Sequence, residues 1–179
     1  MLNGDTDYKL RYVSALVSSE QRHWSHFSTF LIAEVDGQPA SALCGYFDAE
    51  LGGAALRLAG AEANRRTGRS DEEAATGFAR AASIMNVLPK HADGAWIVEN
   101  VATRPEFRRQ GLCRRLLEEA LALGVARGAS VSDISVFIGN DSAQRVYERC
   151  GFEVVAERRD AEFEQTYKTP GIRTLRRNI

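Results

Sequence analysis

The stretch that most constrains this chain is "AWIVENVAT" (residues 95–103), followed by "GLCRRLLEEALALGVARG" and then "DISVFIG". The first segment opens on a continuous apolar run, which suits a strand covered on both faces. Arg104-Pro105 closes it, because proline has no N–H to give to a strand ladder. In the second segment Leu112, Leu116, Ala120 and Gly124 recur at helical spacing, while Arg114, Arg115, Glu118 and Glu119 mark a more polar side. Gly128 is a natural helix end. A strand, a helix of this length and another strand form a crossover unit. The strands at 95–103 and 133–138 are therefore expected to be parallel neighbours.

The flanks supply antiparallel partners. "TFLIAEV", Asp36-Gly37 and "ASALCGYF" read as a hairpin, since Asp-Gly accepts the positive φ of a tight turn. "FEVVAER" and "GIRTLRRNI" read as two final strands. Between them and the crossover, "NDSAQRVYERCG" places Ala143, Val146, Tyr147 and Cys150 at i, i+3, i+4 and i+7 of a second helix. From about 49 to 92 the composition shifts to Ala, Gly, Arg and Glu. There "DEEAATGFARAASIMNVL" suits a helix, acidic in its first turn and apolar at Phe78, Ala82 and Met85. The expected fold class is α/β, a mixed and mostly antiparallel sheet flanked by helices, as one domain over residues 1–179 with a helical insertion at about 49–92.

Composition excludes several functions. A length of 179 residues with 44% hydrophobic content gives one domain a real core. The formal net charge of -1 argues against binding a polyanion by bulk charge. Cys44, Cys113 and Cys150 are odd in number and widely spaced, which argues against a disulfide framework or a zinc site and for a reducing compartment. Neither an apolar signal region nor an apolar run near 18 residues is present, so a cytoplasmic protein with no membrane partner is expected.

The run "RRQGLC" (108–113) begins the crossover helix. Amides at a helix start point outward unpaired, and the helix dipole adds positive character there. Gly111 lets an anion approach that backbone, with Arg108, Arg109 and Arg114 around it. Alone, this is equally an ordinary basic helix start. A nucleic-acid patch is the other alternative, and the absence of an aromatic stacking platform beside the arginines counts against it.

Taken together, "WIVENVATRPEFRRQGLCRRLLEEAL", the next strand and "NDSAQRVYERCGF" resemble the GNAT superfamily of acyl-CoA N-acyltransferases. Arg108, Gly111 and Cys113 match that family's phosphate loop, with Cys113 standing where Gly or Ala is usual. Asn140, Ala143, Tyr147, Gly151 and Phe152 match its second motif. The resemblance implies that the central parallel strands splay apart and that acetyl-CoA is the co-substrate, with no metal. It implies a cradle of Arg108, Arg109, Gln110, Gly111, Leu112, Cys113 and Arg114 for the pyrophosphate. Backbone groups of Val101 and Thr103 are then expected along the pantetheine arm, and Asn140 completes the cofactor set. For Cys113 two readings stand: a thiol activated by the helix start, or a packed and inert one.

The resemblance also implies the chemistry. Acyl transfer to an amine needs an acceptor for the ammonium proton and a donor for the leaving thiolate. Glu99 stands where aminoglycoside-type members carry a glutamate that handles the amine, and Tyr147 matches the family's general acid. Their plain alternatives are an ion-paired strand glutamate and a core tyrosine. The implied activity is acetyl transfer to a primary amine of a small molecule or peptide in a ternary complex; a homodimer is compatible with it. A non-catalytic acyl-CoA-binding sensor is the alternative, and a pure binding module would need neither Glu99 nor Tyr147.

Three expectations concern the rest of the chain. His23 and His26 lack ligands at metal spacing; His91 in "LPKHADGAW" precedes the strand of Glu99 and could reach a substrate, but a solvent-exposed loop histidine is the favoured reading. No first strand is evident before Thr29, where the family usually has a strand and a helix. The loop "RRDAEFEQTYKTPG" and the insertion are expected to flank the amine end, with Asp160, Glu162 and Glu164 as an acidic rim.

Overall fold

The computed structural model describes residues 6–80 and 82–179. It begins with helix α1 (Thr6–Val17), and no strand precedes the hairpin among the described residues. Residues 1–5, part of the stretch without an evident first strand, lie outside the described residues. The hairpin is β1 (Phe30–Val35) and β2 (Gln38–Phe47), joined by Asp36 at φ 51° and Gly37 at φ 72°. Two successive positive φ values give the turn a twist matching the strands it joins.

The insertion holds α2 (Asp48–Leu51), α3 (Gly53–Arg66), α4 (Asp71–Arg80) and α5 (Ile84–Val87). The single helix expected over 71–88 is thus two helices, with a turn at Ala82 and Ser83; Ala81 lies outside the described residues. The expected apolar stripe fails because Phe78 and Met85 are 69% and 58% exposed. What α3 buries instead is small: Ala55, Ala59 and Ala63, one turn apart, let it pack closely on α1.

The remaining elements are β3 (Trp96–Thr103), α6 (Leu112–Ala126), β4 (Val131–Phe137), α7 (Asp141–Arg149), β5 (Glu153–Arg159), α8 (Ala161–Tyr167) and β6 (Gly171–Asn178). The sheet order is β1-β2-β3-β4-β6-β5, with β3 and β4 parallel and every other pair antiparallel. The parallel pair is short. It joins Trp96 to Ser132, Ile97 to Asp133 and Val98 to Ile134, and then the strands part.

Helix α6 buries Leu112, Leu116, Ala120 and Gly124 together with Leu117 and Leu121. Gly124 is there for space: a Cβ on it would come within 2.7 Å of the Trp96 ring, and Trp96 is fully buried. Gly124→Ala is therefore expected to destabilise the fold by about 1–3 kcal/mol through overpacking. That exceeds the roughly 1 kcal/mol alanine gains over glycine in a helix. A lower urea midpoint with an unchanged slope is the expected reading.

The stretch expected as an acidic loop at 158–171 is a helix in its middle, α8. Asp160 caps it, accepting from Phe163 N at 2.8 Å, and Phe163 is buried below. The other Asp160 oxygen accepts from Asn86 Nδ2 at 3.0 Å. This carboxylate ties the insertion to the C-terminal half, so it is a structural cap and not part of a free acidic rim.

Candidate active site

The parting of β3 and β4 makes the site. Asn100 holds φ 55°, and the β2–β3 register shifts between Ala42 and Cys44, which marks a bulge in β3 beside it. Beyond the bulge, Arg104 N donates to Ala40 O and Ser41 Oγ donates to Ala102 O. Residues 102 and 104 therefore turn their backbone groups toward β2. By strand alternation, Val101 and Thr103 turn theirs toward the gap. Arg108 Nε already reaches the Thr103 carbonyl, at 3.2 Å.

At the mouth of the gap the chain tightens through Arg109 at φ 64° and Gly111 at φ 76° before entering α6. Gly111 is the N-cap and has no side chain to occupy the first amides of the helix. A Cβ built on it would meet nothing within 4 Å, so the glycine answers to its φ, and the space above the amides is open. Leu112 turns its side chain into the core while its amide stays in this first turn. Arg108, Arg109, Gln110 and Arg114 are exposed around it, and Arg114 Nε pairs with Glu118 at 2.8 Å. An anion placed here would meet oriented N–H groups, the helix dipole and several guanidiniums together.

Cys113 is half-buried against the core, and its thiol is pushed up to about 11, by burial first and by Cys150 second. This burial against the core favours the packed side chain over the activated thiol.

Tyr147 comes from α7, which Asn140 caps by accepting from Ala143 N at 3.3 Å. Its apolar stripe buries Tyr147 and Cys150 beneath the sheet. The hydroxyl is held above a phenol's ordinary value by burial, then by Cys113 and Glu99. It keeps its proton at neutral pH and can donate it to a sulfur anion.

Glu99 pairs across the sheet with Cys44, just before the bulge. Burial raises its carboxyl above the ordinary value, and His91 partly opposes the shift. The charge of Glu99 acts on the Tyr147 hydroxyl, so the two groups lie within electrostatic reach of each other. Beside them, Asn100 Nδ2 donates to Ser25 Oγ at 3.3 Å, and Trp24 stacks on Tyr46 at 6.0 Å. The segment after α1 therefore helps wall this end, where a first strand would otherwise be expected.

The sequence reading missed one group. His91, expected in solvent, has its ring only 17% exposed and lies 3.3 Å from the fully buried Asp133. The available signal was an ionisable aspartate in a central strand next to the crossover, which a buried position tolerates only when paired.

A mixed sheet whose central parallel strands part over the start of a crossover helix defines the acyl-CoA N-acyltransferase architecture. The profile of the acetyltransferase (GNAT) family matches residues 5–152, and the chain belongs to that family. Among solved structures the fold is similar to an acetyltransferase with a TM-score of 0.69 and 14% identity, covering 98% of this chain and 82% of that one. It is also similar to an N-acetyltransferase from Staphylococcus aureus Mu50 (TM-score 0.67, 17% identity, 98% and 83% covered). A third, from Bacillus anthracis str. Ames, was solved in complex with acetyl coenzyme A (TM-score 0.52, 12% identity, 84% and 61% covered). No curated protein matches the chain. No helix among the described residues is long and apolar enough to cross a membrane, and no group of metal-ligating side chains occurs among them.

Proposed function

We propose that this protein transfers an acetyl group from acetyl-CoA to a primary amine of a small molecule or peptide, directly within a ternary complex. The observation that carries the reading is the parted strand pair, with the open α6 amides at one end and Glu99 and Tyr147 at the other. Arg108, Arg109, Gln110, Gly111, Leu112, Cys113 and Arg114 form the pyrophosphate cradle, mainly through backbone amides. Val101 and Thr103 offer backbone groups along the pantetheine arm. Asn140 orients the α7 turn that presents Tyr147, at the edge of the same cofactor site. Glu99 accepts the proton that the ammonium must lose before its nitrogen can attack. Tyr147 donates to the departing sulfur.

The test is an acetyl-CoA turnover screen over amine libraries, read as release of free CoA thiol. Intersecting double-reciprocal lines support a ternary complex. Acetyl-CoA binding with no turnover on any amine would instead favour the non-catalytic sensor.

The raised Glu99 carboxyl gives a pH dependence with a definite sign. Only the ionised form accepts a proton, so kcat/KM for the amine should rise with pH through a limb above the ordinary glutamate value of about 4.3. Glu99→Gln should remove that limb and lower kcat on the order of 10²-fold. A variant that keeps the wild-type pH profile would return Glu99 to a structural role.

A further inference from the structure

The fully buried Asp133 carboxylate accepts from Arg176 Nε at 2.7 Å, Arg176 Nη2 at 2.9 Å and Ala92 N at 3.0 Å, and His91 Nδ1 lies 3.3 Å from the same Oδ2. Burial alone would raise this carboxyl, but Arg176, His91 and Ala92 together hold it well below the usual carboxylate range. An ionised carboxylate only accepts, so the hydrogen in the imidazole contact sits on Nδ1. Nε2 is left as the ring's lone-pair nitrogen. Arg176 neutralises Asp133, which therefore fixes the ring without adding net charge to the site.

The register puts this group beside the reaction. Asp133 pairs with Ile97, so both face one side of the sheet. Glu99 and Ser135 are the next residues of β3 and β4 on that side, at the first positions after pairing stops at Val98 and Ile134. Ser135 Oγ is buried there with no hydrogen-bond partner. Its contact with Asp133 seats His91 against this face, one residue pair back from Glu99 and Ser135, and its side chain keeps a small exposed area toward solvent.

We infer that His91, oriented by Asp133, is the proton exit of the acetyl-transfer site, taking from Glu99 the proton that the acceptor ammonium gives up. The inference rests on Glu99 being the amine-side group. An N–H bond of the ammonium breaks as an O–H bond forms on Glu99. That O–H then breaks as an N–H bond forms on His91 Nε2, and the imidazolium releases its proton to water. The Ser135 hydroxyl, able both to donate and to accept, borders the path. His91 acts through Glu99 and is thus a positioning residue. The charged groups around it are Glu99 from β3, Asp133 from β4 and Arg176 from β6, with Lys90 and Asp93 exposed in its own loop.

Nitrogen NMR of the imidazoles in the full chain tests this without any acceptor. His91 should carry its hydrogen on Nδ1, and its Nε2 resonance should move in Glu99→Gln, because the group it exchanges a proton with is changed. An Nε2–H tautomer, or an Nε2 resonance that stays put, overturns the proposal. With an amine that turns over, His91→Asn should lower kcat on the order of tenfold at unchanged acetyl-CoA KM, and added imidazole should restore it. A loss that imidazole does not rescue, or a wild-type pH profile, also overturns it. If no amine turns over, the acetyl-transfer reading fails on its own, and the NMR result still decides whether His91 and Glu99 are coupled.

Discussion

Acetyl-CoA is expected to protect this protein against heat, and Gly111→Asp to abolish that protection. The position needs a positive φ, and a Cβ there meets nothing within 4 Å. Aspartate tolerates left-handed backbone better than most residues, so the fold should survive. What changes is charge: a carboxylate over the first amides of α6 occupies the place an anionic pyrophosphate would take. Two like charges about 4 Å apart repel by about 4 kcal/mol at an effective dielectric near 20, roughly a thousandfold in Kd. Gly111→Asn separates the effects, having nearly the same shape and φ tolerance without the charge. It should keep most of the binding. Calorimetry on both variants checks this, and an aspartate variant that binds acetyl-CoA like the wild type would remove the cradle from α6.

Tyr147→Phe should lower kcat on the order of 10²-fold, the usual size of a lost general-acid contact. Acetyl-CoA affinity should hardly move, since a donor to the leaving sulfur acts mainly in the transition state. The aromatic ring stays, so the buried packing of Tyr147 against the core survives and stability serves as the control. Single-turnover measurement isolates the chemical step. An unchanged rate there would leave Tyr147 as a core residue only.

Much of this molecule is written locally. The stripe of Leu112, Leu116, Ala120 and Gly124 specifies α6 by its period, and Gly111 and Gly128 bound it. Asp36-Gly37 sets the first hairpin, because its turn asks for φ values that few residue pairs accept. The crossover then forces β3 and β4 to be parallel, and Gly111 falls at the helix start by spacing alone. The part of the proposed cofactor site that depends on backbone amides was legible for this reason: helix starts are a property of short sequence.

The acceptor end was not legible in the same way. Phe78 and Met85 have helical spacing but lie exposed, because they fall on two short helices and none of the described residues buries them. The 158–171 stretch contains a helix capped by Asp160, whose second bond goes to Asn86, 74 residues away. His91 reads as a surface loop residue until the sheet brings Asp133 and Arg176 to it across 42 and 85 positions. Cys113 shows the same division: its place at a helix start suggests an activated thiol, and its burial favours a packed one. By itself the sequence determined the strand–helix–strand frame and the glycine-led helix start proposed as an anion cradle, through periodicity and turn chemistry that act over a few residues. Only the tertiary structure decided which charges are buried and paired around Glu99, because desolvation and ion pairing depend on neighbours that chain order does not reveal.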